Sequence, residues 1–262
     1  MVEHSFRLLP ASGFGKNVVN LDLSAATEGN IATLKSAFSE AGVLFFHEQN
    51  LSPEQHIEFA QRWGEINVNR FFAAVDKYPQ IAEVNKEPDQ QINIGGGWHT
   101  DHSYDEIPAL GSMLLAKELP PVGGDTLFAS TVLAYEGLSE AMKQTLERLS
   151  AVHSSRHVFG VRPEVPGEMS SRIGNQEAAL QDAVHPVVIR HPLSGKKSLY
   201  VNPGFTLRFD GWTAEESEPL LKFLYGHITR PEYTYRHKWG EGSMAFWDNR
   251  ATWHFAINDY HG

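Results

Sequence analysis

Three residues in this chain combine types and spacing that suit metal chemistry. Trp98-His99-Thr100-Asp101 sets an imidazole and a carboxylate two residues apart, so in extended backbone both side chains leave the same face and can reach one ion. The pattern is weak by itself. With 13 His and ten Asp among 262 residues, a His-x-Asp is expected by chance about 0.5 times, and taken alone it reads better as a surface or turn hydrogen-bonding pair. A further imidazole stands near the C-terminus, where Phe246-Trp247-Asp248-Asn249-Arg250 leads through Ala251-Thr252-Trp253 to His254, among apolar residues just after a strand. Alone it reads as a core histidine. Together, two histidines and one carboxylate on one face of a metal leave three positions open, which is what a non-haem Fe(II) oxygenase needs for a bidentate co-substrate and O2. A zinc hydrolase needs one open position. The imidazoles' second nitrogens are expected to bond to neighbours that set each tautomer.

Composition narrows the choice. The chain has no cysteine, which removes disulfides, thiolate metal sites, Fe–S clusters and a Cys nucleophile, so any transition-metal site must use His, Asp and Glu. Lys and Arg total 22 against 32 Asp and Glu, a formal charge of 22 − 32 = −10, which speaks against general affinity for nucleic acid or anionic membrane. Met1 to Asn20 mixes Glu3, His4, Arg7 and Lys16 among its apolar residues and lacks the apolar core of a secretory signal. No run approaches the ~18 apolar residues of a membrane span. A soluble cytoplasmic protein is the expectation.

The elements that must position these residues are partly legible. Ser24 to Ala41 has Ile31, Leu34, Ala37 and Phe38 at helical spacing and stops at Gly42, after which Val43 to Phe46 reads as a short buried strand. Ser52-Pro53-Glu54-Gln55 opens a second helix, with Ser52 as N-cap, Pro53 at the first helical position and Gly64 as its stop. Leu138 to Leu149 and Thr213 to Ile228 are further helix candidates, the latter opened by a Thr213-x-x-Glu216 capping box. Strand patterns cover Ser112–Ala116, Thr126–Ala129, Val184–Arg190, Ser198–Val201, Phe205–Phe209 and Ser243–Trp247. Short strands without βαβ alternation argue for a sandwich or barrel with helices outside it. The chain has no Gly-x-Gly-x-x-Gly, P-loop or Gly-x-Ser-x-Gly, so the usual dinucleotide, nucleotide and serine-hydrolase readings fall away. Asn85 to Gly97 and Arg162 to Asp182 read as long loops. The first, ending in Gly95-Gly96-Gly97, is a candidate lid.

Over most of its length the chain resembles the taurine dioxygenase and 2,4-dichlorophenoxyacetate dioxygenase (TauD/TfdA) group of Fe(II)/2-oxoglutarate-dependent dioxygenases. The resemblance rests on five blocks in order: Trp98-His99-Thr100-Asp101, Pro120-Pro121-Val122-Gly123-Gly124-Asp125-Thr126, His185-Pro186-Val187-Val188, Leu199-Tyr200-Val201-Asn202, and Trp247-Asp248-Asn249-Arg250 leading to His254. It implies a mainly β fold with flanking helices, a double-stranded β-helix (jelly roll, cupin-like), as a single dioxygenase domain over 1–262. It further implies iron held by His99, Asp101 and His254, with 2-oxoglutarate and O2 as co-substrates, and hydroxylation of a small organic acid with release of succinate and CO2. In that family a threonine after the Gly-Gly-Asp turn binds one end of 2-oxoglutarate, and Thr126 occupies its place. An arginine beyond the distal histidine pairs with the distal carboxylate. This sequence stops at Gly262, eight residues past His254, so its C-terminal end is expected to be incomplete, and Arg250 is the reserve candidate for that carboxylate, against the plainer reading of a structural salt bridge.

The resemblance also points to Phe159 and Phe205 as aromatic lining of the substrate pocket. Taurine enzymes carry an asparagine just ahead of the His-x-Asp, where this chain has Gly95–Gly97, and an earlier histidine, where it has Asn67-Val68-Asn69-Arg70. The expected substrate is therefore a more apolar acid than taurine, such as a sulfonate or an aryloxyalkanoate, with Arg70 as a further contact. Neither nucleic acid nor a membrane is expected as partner, and self-association is left open. Two other readings stand beside this one: a metal-dependent hydrolase using the same His/Asp/His set, and a non-catalytic jelly-roll binding protein.

Overall fold

The computed structural model describes residues 6–160 and 172–261. Its core is a pair of facing β-sheets. The larger contains β1 (Arg7–Pro10), β2 (Lys16–Val19), β3 (Val43–Phe46), β14 (Met244–Asp248) and β6 (Gly111–Leu115), hydrogen-bonded in that order. The smaller has the order β13 (Thr234–His237), β7 (Thr126–Ser130), β15 (Thr252–Ala256). A further sheet, β12 (Thr206–Phe209), β8 (Ser150–Ser154), β9 (Asp182–Pro186), and two hairpins, β4 (Ala74–Val75) with β5 (Tyr78–Ala82) and β10 (Val188–Arg190) with β11 (Lys197–Leu199), complete the strands.

Strand alternation distributes side chains among three cores. In β3, Val43 and Phe45 point between the two main sheets, where they meet Phe128, Ala245 and Trp247, while Leu44 and Phe46 point outward onto helix α1 (Glu28–Ala41) and helix α2 (Pro53–Gln61) through Ile31, Leu34, Phe38 and Phe59. Both faces of β3 are buried, so the strand reads as a continuous apolar run. Phe38 stacks on Phe246 with ring centroids 4.2 Å apart, and full burial of such a side chain stabilises by about 2–3 kcal/mol. On the far side, Ala129 and Trp253 pack with helix α6 (Ala214–Ile228) through Leu221, Leu224 and Ile228. Three helices carry complete capping boxes, at Thr27/Asn30, Ser52/Gln55 and Thr213/Glu216. Gly42 ends α1 in the left-handed region at φ 75°, where an L side chain is strained.

Several elements differ from the sequence reading. The first helix starts at Glu28, with Thr27 as cap, and Leu23–Ala25 forms a separate 3-10 turn. Leu138–Leu149 shortens to α4 (Glu140–Leu146), capped by Ser139, and α3 (Thr131–Glu136), capped by Ser130, precedes it. A fifth short helix, α5, spans Arg156–Phe159. Val184–Arg190 divides at Val187, because the two halves pair with different strands: β9 with β8, and β10 with β11. The first part of the second loop, residues 162–171, lies outside the described residues, and its remainder contains a 3-10 turn at Gln176–Ala178. No helix is long and apolar enough to cross a membrane among the described residues.

Candidate metal centre and co-substrate pocket

His254 lies on β15 opposite Phe128, and the neighbouring pair on the same face is Ala256 opposite Thr126. Because side chains alternate along a strand, Thr126, Phe128, His254 and Ala256 all face the space between the sheets. On its other edge β15 takes a single bridge: the N–H of His99 donates to the His254 carbonyl at 3.2 Å, and the N–H of His254 donates to the His99 carbonyl at 2.9 Å. Residues exchanging both backbone bonds place their side chains side by side, and the two imidazole centroids are 4.1 Å apart. Gly204 permits this approach, since a Cβ there would stand 2.8 Å from the His99 Cβ.

Asp101, two residues past His99, brings Oδ1 to 3.6 Å from His99 Nε2 and 3.7 Å from His254 Nε2. The three residues each offer a ligand atom within 4.8 Å of the others, and no other such group occurs among the described residues. Their protonation suits a cation. Burial opposes the charge on Asp101, but His254, His99 and a hydrogen bond from Ser112 outweigh it and hold the carboxyl down at about 2. Burial, with His99 beside it, lowers His254 to about 3, so at neutral pH its ring is uncharged and does not repel a cation. His99 Nδ1 donates to the Gly97 carbonyl at 2.7 Å, which directs the Nε2 lone pair toward Asp101. His254 departs from expectation: its Nδ1 is buried without a hydrogen-bond partner among the described residues. Packing orients this ring instead, against Trp247 at 4.6 Å and Phe128 at 6.4 Å.

Thr126 stands two residues along β7 from the partner of His254, roughly 7 Å along the strand, within reach of a five-carbon diacid chelated at the metal. Its Oγ1 accepts the indole N–H of Trp239 at 3.0 Å. Arg250 lies on the other side of His254, in the β14–β15 turn, and its Nε and Nη2 bond Asp248 at 2.8 and 2.6 Å. Asp248 is wholly buried and also holds His191 at 2.8 Å. The guanidinium thus neutralises a buried carboxylate, the plainer of the two readings of Arg250, and Arg250 and Thr126 flank His254 from opposite ends of β15.

Phe205 comes to the centre, its ring 6.3 Å from that of His99. Tyr104, absent from the sequence reading, joins Phe205 at 4.8 Å to Phe159 at 5.9 Å, and Phe159 stacks on Phe71 at 4.3 Å. Arg70 borders this cluster, 5.7 Å from the rings of Phe71 and Tyr104, and bonds Asp105 at 2.6 Å. Burial raises Asp105, but His102 and Arg70 more than compensate and leave it below the usual carboxylate range. The Asn85–Gly97 loop is tied to the strand that carries His254: Ala256 N–H donates to the Gly95 carbonyl at 3.0 Å, and Asn93 Nδ2 donates to the Ile257 carbonyl at 2.9 Å.

The family model described as taurine catabolism dioxygenase TauD, TfdA family matches residues 5–262. The chain belongs to the TauD/TfdA family. It is 35% identical over 251 residues to an alkylsulfatase of Acinetobacter baylyi, covering 94% of this chain and 78% of that one. It is 33% identical over 242 residues to an alpha-ketoglutarate-dependent sulfate ester dioxygenase of Pseudomonas putida, covering 91% and 78%. Among solved structures, a taurine dioxygenase from Burkholderia xenovorans superposes with TM-score 0.78 at 35% identity over 96% of this chain and 84% of that one. AAD-2 in complex with Mn(II) and N-oxalylglycine gives 0.78 at 28% identity over 98% and 92%. This TauD/TfdA protein is thus a jelly-roll dioxygenase that depends on Fe(II), 2-oxoglutarate and O2 and hydroxylates a small organic acid. Membership of the family decides for the oxygenase over the hydrolase and the non-catalytic binding protein.

Proposed function

We propose that His99, Asp101 and His254 hold the Fe(II), that Thr126 binds one carboxylate of 2-oxoglutarate, and that the substrate is a small organic anion with an apolar body, a sulfate ester or sulfonate before taurine. A single dioxygenase domain over the chain performs this reaction. What carries the reading is the convergence of one carboxylate oxygen and two imidazole nitrogens beside an aromatic cluster. Bound iron supplies the activation of O2, coupled to decarboxylation of 2-oxoglutarate to succinate and CO2, with the second oxygen atom entering a substrate C–H bond.

The protein's own residues do the rest. Asp101 stays ionised and His254 uncharged at neutral pH, which suits a divalent cation between them. Thr126 uses its lone pair for Trp239, which leaves its proton to donate to a carboxylate. Phe205, Tyr104 and Phe159 exclude water and take the apolar body of the substrate. Arg70 borders that cluster with a buried Nε that has no partner among the described residues, a donor for the anionic end. Relatives named for sulfate esters, sulfonates and phenoxypropionate support small anions as the substrate class.

A succinate-release screen over alkyl sulfates, alkyl sulfonates, aryloxyalkanoates and taurine tests the substrate class. Turnover of the apolar acids is expected, and efficient turnover of taurine alone sinks it. Asp101→Ala should abolish turnover and weaken Fe(II) binding; full activity in that variant removes the ligand assignment.

A further inference from the structure

Asp101 has two carboxylate oxygens, and the structure treats them differently. Oδ1 faces His99 and His254 at 3.6 and 3.7 Å. Oδ2 accepts the hydroxyl proton of Ser112 at 2.7 Å. Ser112 lies on β6 directly across from Trp247 of β14, so its place is set by the register of the large sheet and not by the loop that carries Asp101. A serine hydroxyl has one proton and two lone pairs. With the proton given to Asp101, a lone pair accepts Asn249 Nδ2 at 3.3 Å. The same Asn249, only 1% exposed, accepts the Thr100 hydroxyl on its backbone carbonyl at 2.7 Å and donates its backbone N–H to the Leu110 carbonyl at 3.2 Å. Thr100 is the residue between His99 and Asp101. The chain Asp101–Ser112–Asn249–Thr100 therefore closes on itself and ties the His-x-Asp segment to the β14–β15 turn, five residues before His254.

We propose that Ser112, held by Asn249, is a positioning residue that fixes Asp101 as a one-oxygen ligand. Rotation of the carboxylate toward two-oxygen ligation breaks the bond to Ser112 and, through it, the contact to Asn249. The lock keeps a coordination position free that a chelating carboxylate would fill, and it pre-forms the anionic ligand before metal arrives. Outer groups of this kind change metal affinity by about 10- to 100-fold. The inference rests on the His99/Asp101/His254 site proposed above and is independent of the substrate.

The test is an anaerobic titration of the full chain with Co(II), and separately Fe(II), without 2-oxoglutarate or substrate, read by affinity and by the visible absorption of bound Co(II). Ser112→Ala should bind about tenfold or more weakly with an altered Co(II) spectrum, and Ser112→Thr, which restores the hydroxyl, should return both toward wild type. Wild-type affinity and spectrum in Ser112→Ala overturn the proposal, as does an equal loss in Ser112→Thr, which would trace the effect to strand packing. Should Ser112→Ala not fold, Ser112→Cys carries the same test, since a thiol is nearly isosteric and a weak donor: weakened binding supports the lock and undiminished binding overturns it. Failure of the wild-type chain itself to take up Co(II) overturns the metal site, a result separate from a failure of the lock.

Discussion

Thr126→Val keeps the β-branched shape of the side chain and deletes its hydroxyl. That oxygen accepts the Trp239 indole N–H at 3.0 Å, and its own proton has no acceptor among the described residues. A carboxylate of 2-oxoglutarate is the acceptor proposed above. A hydrogen bond to a charged group contributes about 1.5–3 kcal/mol, which at 1.4 kcal/mol per decade is roughly 10- to 150-fold in co-substrate affinity. The same substitution strands a buried indole N–H, at about 1–3 kcal/mol of stability, so the two effects must be separated. In Thr126→Val with Trp239→Phe no N–H is stranded; part of the stability should return while the co-substrate defect persists. The assay is an anaerobic 2-oxoglutarate titration of the Fe(II)-loaded enzyme, run beside thermal melts and a metal titration of each variant. Metal affinity should not change. A lower melting temperature with unchanged 2-oxoglutarate affinity would mean that the hydroxyl serves Trp239 alone, and the reasoning would be wrong.

Arg250→Met should cost about 3–5 kcal/mol, because it leaves the buried carboxylate of Asp248 with His191 as its remaining side-chain partner; a preserved melting temperature with a large loss of 2-oxoglutarate affinity would return Arg250 to the co-substrate. Burial lowers His153 and His254 to about 3 and His237 to about 4, from 6.5. Below pH 6.5 the unfolded chain takes protons that the folded chain refuses, so stability of the metal-free protein should fall as pH drops from about 6.5 toward 4, by a few kcal/mol per pH unit at most; urea midpoints that stay level between pH 7.5 and 5 contradict this. Asp101, held near 2, stays ionised across that window. Phe205→Leu should raise KM for an apolar acid more than it changes 2-oxoglutarate affinity, and equal effects on both would remove Phe205 from the substrate side. Hydrogen exchange across Asn85–Gly97 should slow when co-substrate and substrate bind, whereas identical exchange with and without them marks a plain surface loop.

Local chemistry made much of this protein legible from its residues. Thr213 with Glu216, and Ser52 with Gln55, specify helix starts within four residues, and the capping hydrogen bonds are there. The apolar run Val43–Phe46 announced a strand buried on both faces. The His-x-Asp pair stood out by residue type and spacing, although the segment is not a strand: His99 makes a single bridge and Asp101 opens a turn, and the five sequence blocks named the family. What these signals lack is range. Strands β1, β2, β13 and β15 carry too little alternation to stand out, and they exist because partners far along the chain accept their backbone hydrogen bonds. His254 reaches His99 through one pair of backbone bonds spanning 155 residues, a register that strand pairing sets and composition does not. The same holds for Ser112 under Asp101, for Tyr104 between Phe159 and Phe205, and for Arg250, whose charge goes to Asp248 two residues away because that carboxylate is buried and needs it. The types of the candidate ligands were written in the chain; which oxygen of Asp101 faces the imidazoles, and that Arg250 bonds Asp248, depended on packing, because a buried polar group takes whichever partner the folded backbone brings within about 3 Å.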